Sequence, residues 1–188
     1  MSDTKFSRAW TGWQLHCIVP VEAARVNYYE SVVIDYLRAD RAIFLNSEYC
    51  IQLNPADNPD KSGPHWYCDA VALDFRSQKI FLCEISYAAG LGGLIKRLRG
   101  WNSNWAGVRS AVERDCFLAK QWPITPWLFV PKVRIDLLKR RLVEISNGQP
   151  PKFDPKITPL EEVQPWLYSA WNRNGNCSTQ ATSEEVAE

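Results

Sequence analysis

Two apolar runs, residues 66–75 and 79–86, are separated only by Arg76-Ser77-Gln78, and neither contains Pro or Gly. This pattern predicts a β-hairpin. Strand side chains alternate between two faces. One face of the first strand then carries Asp69, Val71, Leu73 and Phe75, and one face of the second carries Ile80, Leu82, Glu84 and Ser86. Two carboxylates therefore interrupt otherwise apolar faces of neighbouring strands. A buried carboxylate is costly unless it is paired, hydrogen-bonded or bound to a cation. Asp69 and Glu84 are thus a candidate pair for a hard metal ion such as Mg²⁺, which prefers oxygen ligands.

A chain of 188 residues suits one domain with a sizeable core. Nine tryptophans run from Trp10 to Trp171, so no single aromatic platform stands out. The N-terminal residues lack the apolar stretch of a signal peptide, and no run of about 18 apolar residues is present to span a membrane. The six cysteines have no C-x-x-C spacing, and Cys68 and Cys83 lie inside the apolar runs as small hydrophobes. These features predict a reduced, cytoplasmic protein. His16 and His65 are the only histidines, and with no C-x-x-C spacing beside them a zinc site is not expected.

Pro20 is suited to the first position of a helix running to about Ala39, with Val26, Tyr29, Val33, Ile34 and Leu37 at helical spacing. Glu30 interrupts that apolar face. It is either an edge position paired with a base such as Arg25, or a third acid beside the other two. A strand over 48–53 and a turn-rich connector over 54–64 lead into the hairpin. A helix begins near Gly90–Gly93 and packs through Leu91, Leu94, Ile95, Leu98, Trp105, Val108 and Val112, with Gly100 and Gly107 as points where it kinks or divides. A buried strand over 126–131, a helix over 133–145 and a last helix over 159–171 follow. One domain over 1–171 is expected, with its core at about 20–131, C-terminal helices over 132–171 and a disordered tail over 172–188.

Residues 87–141 hold eleven Lys/Arg against three Asp/Glu, whereas the rest of the chain holds eleven against eighteen. A basic block beside the paired carboxylates suggests a polyanionic partner, with Lys96, Arg97, Arg99, Lys139, Arg140 and Arg141 as contacts. The plainer reading is a set of solvated helix faces.

The order helix, three strands, helix, strand resembles the core of the PD-(D/E)XK nuclease superfamily, the restriction-endonuclease-like fold. The resemblance rests on Cys68-Asp69 at the first motif, Glu84-Ile85-Ser86 at the second and Glu30 on the first helix, and covers about 20–131. It implies an α/β fold with a mixed central sheet flanked by helices. It also implies Mg²⁺ (or Mn²⁺) held by Asp69, Glu84 and the carbonyl of Ile85, with Glu30 acting through water or on a second ion. Ser86 stands where the family has a lysine. In some branches that lysine has moved to the next helix, where Lys96 is the first candidate and Arg97 and Arg99 compete.

The resemblance thus implies metal-dependent hydrolysis of phosphodiester bonds, with DNA the favoured substrate and a homodimer possible. Two other classes stay open. One is a catalytically silent nuclease-fold protein that binds nucleic acid, as the loss of the lysine permits. The other is a protein-interaction module docking an acidic partner.

Overall fold

The structure, a computed structural model, describes residues 28–53, 64–117, 121–146 and 151–165. The first turns of the Pro20 helix, the connector over 54–63, and residues 166–188 with the expected tail lie outside the described residues.

Helix α1 (Tyr28–Ala39) is followed by three strands, β1 (Ile43–Gln52), β2 (His65–Asp74) and β3 (Lys79–Ile85). Two helices come next, α2 (Gly92–Ser103) and α3 (Trp105–Asp115), then β4 (Ile124–Val130), α4 (Ile135–Ile145) and β5 (Lys156–Pro159). The strands form one sheet in the order β1-β2-β3-β4-β5. The first three pair antiparallel, while β4 and β5 join parallel to β3. The fold is therefore α/β with an open mixed sheet. No helix among the described residues is long and apolar enough to cross a membrane.

Each face of the sheet is covered by its own helices. Val33 and Leu37, four residues apart on α1, are fully buried against Ala70, Ala72, Phe81 and Cys83. The other face packs Val71, Ile80 and Leu82 under Leu94, Leu98 and Trp101 of α2, Val108 and Val112 of α3, and Leu138 and Leu142 of α4. A fully buried side chain of this size contributes about 1.5–3 kcal/mol relative to exposure, so these stripes set how each helix is rotated on the sheet.

Three expectations are corrected. The helix after the hairpin does divide, but at Asn104 and not at a glycine. Asn104 leaves helical geometry at φ −127°, and its side chain lies over Gly107, where a Cβ would meet it at 2.8 Å. Gly100 stays inside α2, with the Trp66 indole 3.1 Å from where a Cβ would stand. The second correction concerns residues 156–159, which form β5, a strand beyond the expected ones. Leu128, Phe129 and Val130 pair with Ile157, Thr158 and Pro159, and pairing along β4 gives these backbone groups partners. The third is that Leu160–Val163 makes only a short 3-10 turn, burying Leu160 and Val163 against the α1 side, where a helix over 159–171 was expected.

β1 also begins at Ile43, five residues before the expected strand, and so runs antiparallel along most of β2. The hairpin itself follows the sequence reading within one residue at each end.

Candidate functional site

Glu84 sits near the carboxyl end of β3 and is fully buried, the one acidic side chain among the described residues with no exposed surface. The β2–β3 register runs from Asp74↔Lys79 to Ala70↔Cys83, and continuing it one step sets Asp69 level with Glu84. Asp69 Oδ2 accepts the backbone N–H of Ile85 at 2.6 Å. A side chain thus takes a backbone group at the point where the ladder between the two strands ends.

The period-two alternation breaks at this level. Leu45 of β1 and Ala70 of β2 face the α1 side, whereas Tyr49 and Cys68 face the other core. Strict alternation would keep Leu45 and Tyr49 together, and likewise Ala70 and Cys68. Glu48, in register with Asp69 across β1 and β2, has φ 53°, an uncommon conformation for a non-glycine residue. Local departures of this kind re-aim side chains beside functional sites. Glu48 is exposed, and its charge is felt by Glu30. Sequence reading missed Glu48, because a polar residue in an edge strand is ordinary and only the register places it opposite Asp69.

Glu30 enters from the first turn of α1, on the opposite side of the sheet from α2. Burial, then the charges of Asp69 and Glu48, push its carboxyl above the usual range, with Arg97 acting the other way. Burial also raises Asp69, against the Ile85 N–H and Arg97. Glu84 is raised most, to about 8, by burial first and then by the negative charge of Asp69, with Arg97 offsetting part. The acids therefore share one electrostatic neighbourhood. Among the described residues, however, no group of three or more His, Cys, Asp or Glu side chains lies close enough to hold one metal ion.

The cation that meets these acids is Arg97. Its Nη2 lies 2.6 Å from Glu84 Oε2 and 4.0 Å from Asp69 Oδ1, and its side chain is 36% exposed. Lys96 and Arg99 are exposed on the outer side of α2. Sequence spacing held the signal: Arg97 lies three residues after the buried Leu94 and four before the buried Trp101, whereas Lys96 falls outside that stripe. The Arg97–Glu84 contact is close but poorly directed. Both Glu84 carboxylate oxygens and Arg97 Nε are buried without a hydrogen-bond partner, as is Trp101 Nε1 one turn further along α2. Buried polar atoms in folded proteins are almost always hydrogen-bonded, so this local concentration of exceptions marks the site.

Ser86 donates its backbone N–H to the carbonyl of Phe129 at 2.9 Å and is half-buried. Cys68 and Cys83 flank the acids in the sequence, yet both thiols are buried and raised, Cys68 donating to the carbonyl of Ala70. Thiols held protonated in this way are core groups, not nucleophiles. Of the remaining basic residues, Lys139, Arg140 and Arg141 are exposed on α4, which packs against α2, and Arg141 pairs with Glu144 at 2.7 Å. Lys96, Arg99, Lys139 and Arg140 pair with no carboxylate among the described residues. Comparisons with protein-family models, curated proteins and solved structures return no match.

Proposed function

We propose that this chain is a metal-dependent nuclease of the PD-(D/E)XK type, hydrolysing phosphodiester bonds, with DNA the favoured substrate, at the Asp69–Glu84 site. The observation that carries this reading is the Glu84 carboxylate: fully buried, level with Asp69, and met by no side chain but the Arg97 guanidinium among the described residues. Such a group is a standing cost to stability unless the site has a use for it. The order of strands and helices and the meeting of Glu30, Asp69 and Glu84 in one neighbourhood support the same reading.

Two carboxylates are the donor type that a small hard cation takes, since Mg²⁺ is commonly held by one or two protein carboxylates with water completing its shell, and such an ion would displace Arg97 from Glu84 Oε2. Asp69 and Glu84 would hold Mg²⁺ or Mn²⁺, with the carbonyl of Ile85 as a third oxygen and Glu30 acting through water. When bound, the ion supplies Lewis acidity toward a phosphoryl oxygen and hydroxide at neutral pH. Asp69 is kept in place by the Ile85 N–H, which also favours its ionised form. Arg97 takes the part of the absent lysine: a guanidinium beside the carboxylates suits the negative charge that builds on a phosphate under attack. Lys96, Arg99, Lys139 and Arg140 would track the strand backbone, adding affinity that carries no sequence information.

Arg97 also favours a second reading. Its Nη2 already neutralises Glu84 at 2.6 Å, an arrangement that would suit a silent nucleic-acid-binding protein. Incubation of plasmid and oligonucleotides with the full chain, with Mg²⁺ or Mn²⁺ and with EDTA, decides between them. Cleavage that needs the metal and disappears in Glu84→Ala supports the nuclease. Binding without cleavage in either metal would leave the silent binder.

A further inference from the structure

Arg97 is placed for a second role besides stabilising charge on phosphate. Its Nη2 lies 2.6 Å from Glu84 Oε2 and 4.0 Å from Asp69 Oδ1, so a cation of the chain itself already stands against both acids. Glu84 is fully buried, and no other cation pairs with it among the described residues. Like charges repel, and one carboxylate oxygen cannot serve a guanidinium and a metal ion at once. Entry of a metal ion therefore requires Arg97 to leave Oε2.

The geometry lets it leave. Leu94, Leu98 and Trp101 hold α2 on the sheet, so the helix stays in place and only the side chain needs to move. That side chain is 36% exposed, although the acid it touches is wholly buried. Arg76 grips Asp40 through both terminal nitrogens, each in a hydrogen bond. Arg97 makes no such fork with Glu84, and its Nε has no partner. Lys96 and Arg99 stand exposed on either side of it in α2, unpaired among the described residues. A phosphodiester strand drawn to them brings Arg97 an anion that suits both arms of its guanidinium.

Either ligand alone carries a cost. Metal alone leaves the half-buried guanidinium without an anion, and phosphate alone strips the buried Glu84 of its counter-ion. With both bound, neither group is left unpaired. Resting on the nuclease reading, we infer that Arg97 is a displaceable counter-ion that opposes metal at the Asp69–Glu84 site until a nucleic-acid phosphate draws it away, so that metal and substrate bind cooperatively. Such coupling is reciprocal, each ligand tightening the other.

The test reads metal binding apart from cleavage. Mn²⁺ affinity is measured first without nucleic acid, from loss of the free-ion EPR signal. Arg97→Gln should bind Mn²⁺ about 5- to 150-fold tighter than the parent, the usual range for coupling between two sites. Lys96→Gln removes an equal charge one residue away and should change that affinity less than about twofold. Arg97→Lys, one bond shorter, should gain in the same direction by less, and serves if Arg97→Gln melts early. Anisotropy of a labelled phosphorothioate duplex, which resists hydrolysis, then reads the coupling. Mn²⁺ should tighten the duplex on the parent about fivefold more, or better, than on Arg97→Gln. Unchanged or weaker Mn²⁺ binding in the Arg97 variants, an equal gain in Lys96→Gln, or the same Mn²⁺ effect on the duplex with and without Arg97 would overturn the inference. Mn²⁺ binding that is lost in Glu84→Gln keeps the carboxylate reading even then. Absence of Mn²⁺ binding in the parent and the Arg97 variants alike defeats both.

Discussion

The two ends of the β2–β3 hairpin use the same residue types in opposite ways. At the turn, Asp74 accepts the N–H groups of Arg76 and Ser77 and the Ser77 hydroxyl. Nearby, Asp40 takes both terminal nitrogens of Arg76 at 2.9 and 3.0 Å. Partial burial pushes the Asp74 carboxyl up, but the bonds from Ser77 and Arg76 outweigh it and hold it below the usual range. At the other end Asp69 has one backbone N–H, Glu84 has only a poorly directed arginine, and both carboxyls are raised. The turn end is built for stability. The open end gives stability up, as functional sites commonly do.

The sharpest way to break this contrast is to remove the acid at the open end. Glu84→Ala should lower metal-dependent cleavage by about 10³-fold or more if the acid holds the metal, while nucleic-acid affinity stays within a few fold. Equal losses of both would turn the site into a binding surface. Next in size is the choice of cation: Arg97→Ala should reduce cleavage by about 10²-fold, the scale of one lost transition-state donor, and Lys96→Ala only through a mild, salt-dependent loss of affinity. The reverse ranking would return the lysine's role to Lys96.

A thermal test needs no activity. The Glu84 carboxyl is raised from about 4.5 to about 8, so the folded protein binds more protons than the unfolded chain across that window. Stability should therefore fall as pH rises from about 5 to 8, and Glu84→Gln should flatten that slope and melt higher at pH 8. Mg²⁺ should raise the wild-type Tm more at pH 8 than at pH 6, because the ligands must be ionised, and should leave Glu84→Gln unmoved. The turn end has the opposite sign. Asp74, held low, contributes stability that is lost only as pH falls below about 4, and Asp74→Ala should cost about 1 kcal/mol at neutral pH in a denaturant melt, without touching cleavage.

Much of the site was legible as pattern. Asp69 and Glu84 stand out because a charged residue inside an apolar strand has few inexpensive explanations, and the Arg76-Ser77-Gln78 turn makes the two strands neighbours. The central helices were legible too, through buried residues at helical spacing. Less visible were features that depend on what lies across from a residue. Residues 156–159 carry a short stretch with no strong period of their own, and they are a strand because β4 offers an open edge.

What the sequence by itself determined, then, is the local alternation of apolar and polar residues, and with it the hairpin, the helix faces and the pair of acids on neighbouring strands. Tertiary structure decided which cation meets them. Lys96 and Arg97 are adjacent on one helix and chemically similar in sequence, but burying Leu94, Leu98 and Trp101 turns α2 so that Arg97 faces Glu84 and Lys96 faces solvent. It also decided that Glu48 stands level with Asp69 at a break in the strand, and that Tyr87 lies flat on Tyr29. The stripe of buried residues encodes how α2 is rotated, but what its faces meet, the strand register and the ring stacking are set by contacts between elements far apart in the chain, which no local pattern encodes.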